Sequence, residues 1–244
     1  MFGFKKEYVF CVAIGAGANA NDWLKYSEAQ MRGDQSKAEI EMTIETPNWK
    51  RILEVSTDVE GKKNALTFIK SPAKEKGIGT LRIDNNMWNY FPKLKRKVTV
   101  SPSMLLSSWM GSDFTNDDLL KASSMYEDYK HEFLPDETMG AEKFKVINNT
   151  AKSDALVIWP KIVTLASQKD CLPRFHRYYD KQNKLIRTLA LKDVKNFDGH
   201  MVPSVWTIQP ENDPKKKTTI VYKSLKFNIK YSKNHFTLKT LTGN

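Results

Sequence analysis

Ala38-Glu39-Ile40-Glu41-Met42-Thr43-Ile44-Glu45 is the stretch whose reading decides the fold. Ala38, Ile40, Met42 and Ile44 alternate with Glu39, Glu41, Thr43 and Glu45, the period of two that a strand imposes because successive side chains point to opposite faces. One face is apolar and the other mostly charged, as in an antiparallel sheet wetted on one side. Working outward, Pro47-Asn48 makes a turn and Arg51 to Val59 returns. Gly61-Lys62-Lys63-Asn64 turns again, and Ala65 to Lys70 follows.

The rhythm continues to the C-terminus. Strands are expected at 79–83, 87–91, 97–100, 126–134, 142–148, 156–158, 174–179, 185–194, 204–209, 218–229 and 236–238. The turns between them use Asp84-Asn85-Asn86, Pro135-Asp136, Lys181-Gln182-Asn183, Asp198-Gly199 and Pro210–Pro214. Short strands at a spacing of roughly 8–12 residues indicate a sandwich or barrel. Ahead of the strands, Asp22 to Met31 reads as a short amphipathic helix with Leu24 and Ala29 or Met31 inward, ended by Gly33-Asp34. No internal repeat or linker interrupts the pattern, so residues 21–244 are expected to form a single domain.

Residues 1–20 read as a secretory signal peptide. Lys5 and Lys6 form the charged start, Tyr8 to Ala18 is apolar or small, and Ala18-Asn19-Ala20 is a cleavage site. The apolar run, about 11 residues, is too short to span a bilayer. Cys11 follows Tyr8-Val9-Phe10, a poor context for lipid attachment. Cleavage after Ala20 would leave Cys171 as the single cysteine, with no internal disulfide. An exported domain without bridges fits the bacterial periplasm.

The usual catalytic patterns are missing. The histidines at 131, 176, 200 and 235 lack metal-ligand spacing, and the sequence has no paired-cysteine motif, nucleophile elbow or phosphate loop. Asp117-Asp118 suits the positive end of a helix better than acid–base work. We therefore expect no enzyme activity, no cofactor and no metal. Lys and Arg outnumber Asp and Glu by 39 to 28, a formal charge of +11. Lys93, Lys95, Arg96 and Lys97 crowd one turn, and Lys215, Lys216 and Lys217 another. They read as solvated strand ends, or as a docking patch for anionic headgroups or an acidic partner; export argues against nucleic acid. Arg82, between Leu81 and Ile83, is read as solvent-facing.

One segment departs from the strand rhythm. Ser108-Trp109-Met110-Gly111-Ser112-Asp113-Phe114-Thr115-Asn116-Asp117-Asp118-Leu119 sets large apolar side chains among Gly, Ser and Asp. Thr115 and Asp118 have the spacing of a helix cap. A short helical element on a loop-like sequence suggests a lid, with Trp109, Met110 and Phe114 as its inner surface and Gly111 as its hinge.

Ser71-Pro72-Ala73-Lys74-Glu75-Lys76-Gly77-Ile78-Gly79, Met87-Trp88-Asn89-Tyr90-Phe91-Pro92, Ser101-Pro102-Ser103-Met104 and Ser108–Leu119 together resemble the LolA-like outer-membrane lipoprotein-sorting family, in the branch found with exporters of the resistance-nodulation-division type. The resemblance implies a mainly β fold: an incomplete antiparallel β-barrel, a strongly curved sheet, with short helices as a lid over a hydrophobic cavity. It implies a periplasmic carrier of lipoprotein acyl chains or another lipid, working as a monomer between an inner-membrane exporter and an outer-membrane acceptor. The founding carrier latches its lid with an arginine, and no arginine here is assignable to that role from sequence. The candidate cavity walls are Ile40, Met42, Ile44, Leu53, Val55, Phe68, Trp88, Tyr90, Met104 and Leu105, which could equally pack against one another. The alternative function on the same scaffold is a lipid- or protein-sensing module, an accessory subunit of such an exporter.

Overall fold

The alternating stretch lies in β1 (Gln35–Glu45), the strand on which two halves of a sheet meet. The structure is a computed structural model that describes residues 17–243 apart from 62, 105, 117, 119–124 and 156. On one side β1 pairs with β2 (Lys50–Glu60), and a meander runs on through β3 (Asn64–Ser71), β4 (Gly79–Ile83), β5 (Asn86–Phe91) and β6 (Arg96–Thr99). On its other side β1 pairs with β13 (Lys217–Phe227). From there the sheet passes through β12 (His200–Pro210), β11 (Leu185–Phe197), β10 (Pro173–Tyr179), β9 (Lys161–Ser167) and β8 (Glu142–Ala151) to β7 (Tyr129–Met139). Among the described residues these thirteen strands form one antiparallel sheet with β6 and β7 as its edges, so the barrel is not closed. Because β6 and β7 are consecutive in the chain, the segment joining them crosses the open seam.

Register decides which side chains share a face. Met42 faces Leu53, Ile40 faces Val55, and Val55 faces Ile69. These residues belong to one cluster, or pack at its margin, with Ile162, Tyr178, Leu189 and Ile220 from the other arm. Strands so far apart in the sheet order can share a core only if the sheet bends until its inner faces meet. The helix α1 (Ala20–Arg32) lies inside the second arm. Ala20 and Leu24 pack on Ile147, and the Trp23 ring meets Phe133 edge-on at 6.3 Å. Its N-terminus is satisfied by reciprocal bonds between Asn19 and Asp22.

Each arm is also covered outside. On the first arm, Phe236 and Leu241 of the C-terminal segment, which ends in the helix Leu238–Thr242, pack on Leu66 and Leu81. Here β4 needs a glycine, because a Cβ on Gly79 would lie 2.7 Å from both Leu241 and Phe68. On the second arm Arg177 of β10 reaches Glu137 of β7 at 2.9 Å, so the β7–β8 hairpin curls over Val163 and Leu165.

Several expectations need correction. Residues 157 and 158 lie outside the sheet, and the strand is β9 instead. Four of the five residues from Ile162 to Ala166 are apolar, because β9 is buried on both faces, so its alternation is invisible. Pro135-Asp136 is an irregularity within β7, not a turn. Residues 236–238 lead into a helix, not a strand. Arg82 is 4% exposed, on the inner face, its Nε donating to the Lys63 carbonyl at 3.1 Å. Cys171 is fully buried and disulfide-bonded, against the expectation of a lone thiol. The other cysteine of the sequence, Cys11, lies outside the described residues with most of the expected leader. No helix among the described residues is long and apolar enough to cross a membrane.

Candidate functional site

The lid segment is built on a tight loop. Ser108 and Thr115 pair as an isolated bridge, and the Trp109 amide donates to the Phe114 carbonyl at 2.7 Å. Between them Met110 and Gly111 both take positive φ, 50° and 77°, which reverses the chain and suits glycine at the second position. The Ser112 hydroxyl ties the loop, donating to the Trp109 carbonyl at 2.7 Å and accepting from the Phe114 amide at 3.2 Å. The expected cap is formed: the Asp118 amide donates to Thr115 Oγ1 at 3.2 Å, and the Thr115 amide to Asp118 Oδ2 at 2.6 Å.

The loop turns its apolar side chains inward. Trp109 and Phe114 are 3% and 6% exposed and sit in one cluster with Met42, Ile44, Leu53 and Val55. The Trp109 indole N–H donates to Thr80 Oγ1 at 3.0 Å, so its polar edge is satisfied inside the core. Met110 and Ile40 pack at the margin of the same cluster. These side chains lie against the inner-face residues expected to wall a hydrophobic cavity. Two clefts lie elsewhere. One of about 720 Å³ is lined by α1 residues Tyr26 and Gln30 with Glu142, Ser167, Arg174 and Asp193; a second surrounds Asn21, Tyr126 and His131.

Polar hooks from both arms hold the lid down. Arg187 of β11, 4% exposed, gives Asp118 two charge-assisted bonds, the longer at 2.8 Å, and donates to the Asp113 carbonyl at 3.2 Å. Its guanidinium lies against the Trp159 and Tyr178 rings, at 4.5 and 4.3 Å from their centroids. Asp113 is held twice more, by Thr218 Oγ1 at 2.6 Å and Lys216 Nζ at 3.0 Å. From the first arm, Arg51 donates to the Met110 carbonyl while pairing with Glu75 at 3.0 Å. The sequence pattern assigned neither arginine a role at the lid. For Arg187 a signal existed: it shares the inward parity of Leu189 and Leu191, where a charge must find a partner.

The other candidates scatter. Phe68, Trp88 and Tyr90 face outward, under the C-terminal segment, one residue out of phase with inward Ile69 and Met87. They are corrected as cavity walls. Met104 is 36% exposed, and Leu105 lies outside the described residues. The two basic groups also part. Lys93, Lys95, Arg96 and Lys97 are exposed, and Lys215 is exposed as well. Lys216 is bound to the lid, and Lys217 pairs with Glu45 at 3.4 Å.

The second arm's interior also carries a polar line. His131 contacts Asn149, Asn149 donates to Thr164, and Thr164 meets His176, at 2.8, 3.0 and 2.9 Å. Burial lowers the His176 pKa to about 4, which keeps it neutral.

A family model described as an "Uncharacterized protein" matches residues 61–243, three-quarters of the chain. No curated protein matches the sequence. Among solved structures, a DUF1329 family protein from Desulfovibrio piger aligns with a TM-score of 0.84 and 20% identity, over 91% of this chain and 97% of that one. A domain named for outer membrane lipoprotein sorting, from Vibrio parahaemolyticus, aligns at 0.79 and 22% identity, over 91% and 98%. A LolA superfamily protein from Nitrosomonas europaea aligns at 0.79 and 19% identity, over 92% and 100%. The unclosed, lidded sheet is thus the LolA-like architecture.

Proposed function

Because the chain belongs to the uncharacterized-protein family whose model spans residues 61–243, and has the LolA-like fold, we propose that it is a periplasmic carrier that shelters acyl chains beneath its lid. One observation carries the reading: an apolar plug, Trp109 and Phe114, is held in an apolar trough by polar hooks. Hooks and plug divide the work. The Asp118–Arg187 and Asp113–Thr218 contacts can exchange for water when the lid lifts. The trough cannot, because its exposed apolar surface costs free energy until something apolar covers it.

An acyl chain is a suitable replacement for the plug. Each methylene moved from water into such a site is worth about 0.8 kcal/mol, so a membrane-length chain offsets the loss of lid contacts. Binding and lid opening are then one equilibrium, and a partner that favours the open lid promotes release. This reading assigns no catalytic step. It includes export by the leader at residues 1–20, a single mature domain, and exchange with an inner-membrane exporter and an outer-membrane acceptor.

The test is mass spectrometry of organic molecules that accompany the gently purified protein, together with titration of a hydrophobic fluorophore. Co-purified lipid, and fluorophore binding that lipid displaces, are the expected results. A protein that carries no lipid and binds no fluorophore even when the lid is unlatched by Arg187→Met would refute the proposal.

A further inference from the structure

Turns of an antiparallel meander alternate between the two ends of the sheet, so register shows which turns share an end. Glu45 faces Lys50 on one side and Lys217 on the other, which places the β1–β2 and β12–β13 turns together. Ser71 faces Glu54 and Phe91 faces Arg96, so the 72–78 loop and the β5–β6 turn are at this end too. A Cβ on Gly77 would lie 3.3 Å from Pro92, which confirms that these two turns touch. Arg51, at the same end, holds the lid through Met110. This end is therefore the mouth that the lid covers.

Apolar side chains stand in water at that mouth. Leu94 is 72% exposed in the β5–β6 turn, a short 3-10 turn that buries none of its residues. The turn is closed by the Lys95 amide donating to the Pro92 carbonyl at 3.0 Å, so Leu94 is presented on a fixed support. Exposed Lys93 and Lys95 flank it. Trp49 is 46% exposed at the end of the β1–β2 turn, beside Lys50. The intervening loop carries exposed Lys74 and Lys76. From β2 to β5 is three strand spacings, about 14 Å, so the two apolar tips bracket the lysines rather than merge into one patch.

We propose that this rim docks on an anionic lipid bilayer, with Leu94 and Trp49 entering the headgroup–acyl boundary and Lys74, Lys76, Lys93 and Lys95 meeting the phosphates. Single apolar tips ringed by flexible lysines match a fluid, laterally uniform, negative surface. A protein partner would instead be met by a packed central cluster with fixed polar complements. Tryptophan suits the boundary because its ring is apolar and its N–H is not. Docking of this face would set the lid against the membrane, and it does not depend on the interior accepting lipid.

The test is co-sedimentation of the full protein with vesicles of phosphatidylcholine alone or containing phosphatidylglycerol, at low and high salt. The protein should pellet with the anionic vesicles, be released by salt, and ignore the neutral ones. The double substitution Lys93→Gln/Lys95→Gln should lower partitioning about 25-fold, since each lysine near such a surface contributes roughly fivefold. Leu94→Asp should abolish pelleting without moving the thermal midpoint, because no buried residue lies in that turn. Equal pelleting with neutral vesicles, indifference to Leu94→Asp, or retention by immobilised polyglutamate but not by anionic vesicles would each overturn the proposal. Fluorophore titration without vesicles reports on the carrier reading separately, so the two can fail independently.

Discussion

Replacing Arg187 by methionine keeps an unbranched side chain between Trp159 and Tyr178 and removes every hook that Arg187 casts on the lid. The losses are two charge-assisted bonds to Asp118, one bond to the Asp113 carbonyl, and the stacking of a guanidinium on two rings. Breaking a buried ion pair on one side costs about 3–5 kcal/mol. Asp118 keeps 15% of its side-chain exposure and can reach water when the lid rises, so the lower end applies, about 3 kcal/mol. At roughly 1.4 kcal/mol per tenfold, the open lid becomes about 100 times more populated. Hydrogen exchange resolves this by residue. The amides of Trp109, Ser112 and Asn116, bonded to Phe114, Trp109 and Ser107, should exchange about 100 times faster, while amides of the β1–β2 pair hold their rates. Asp118→Asn should act in the same direction without touching the ring stack. Wild-type exchange in the lid, or equal acceleration throughout the sheet, would show that Arg187 is ordinary core and refute the latch.

Trp109→Ala should cost about 3–5 kcal/mol in urea unfolding, as for a buried aromatic, and should tighten fluorophore binding because the plug is gone; weaker binding would argue against the plug. Gly79→Ala should destabilise by about 1–3 kcal/mol, because its methyl group strikes Leu241 and Phe68, and should free the C-terminal helix to proteases. His176 is held neutral down to about pH 4, whereas the unfolded chain takes up a proton near 6.5. Stability should therefore fall as pH drops through that window, by at most about 3 kcal/mol. The fall should be smaller in His176→Gln, and identical urea profiles for the two proteins would exclude the effect.

The sheet was legible wherever a strand keeps one wet face. In β1 the glutamates mark the outside and Ala38, Ile40, Met42 and Ile44 the inside, and the register agrees. The reading failed where both faces are covered. Phe68, Trp88 and Tyr90 look like inward residues by hydrophobicity, yet they lie under the C-terminal segment. Lining strands 64–71 and 86–91 therefore present apolar residues to two different cores. β9 was missed for the same reason. The lid was legible as a chemical anomaly, large apolar groups among turn residues, and its Thr115–Asp118 cap formed as expected.

The sequence by itself determined the local matters: strand period, turn positions, the capped start after Phe114, and a composition that suits a bent sheet. Only the tertiary structure decided what those pieces do to one another. Arg187 and Asp118 are 69 residues apart, and Asp113 and Thr218 are 105 apart. No local pattern encodes a contact of that span. It arises because the sheet's curvature brings strands from both arms to the same mouth, and the energy of closing that curve comes from the core as a whole. The same curvature brings Trp109 and Phe114 onto the walls they were expected to cover, since only in three dimensions do they meet Met42, Ile44, Leu53 and Val55.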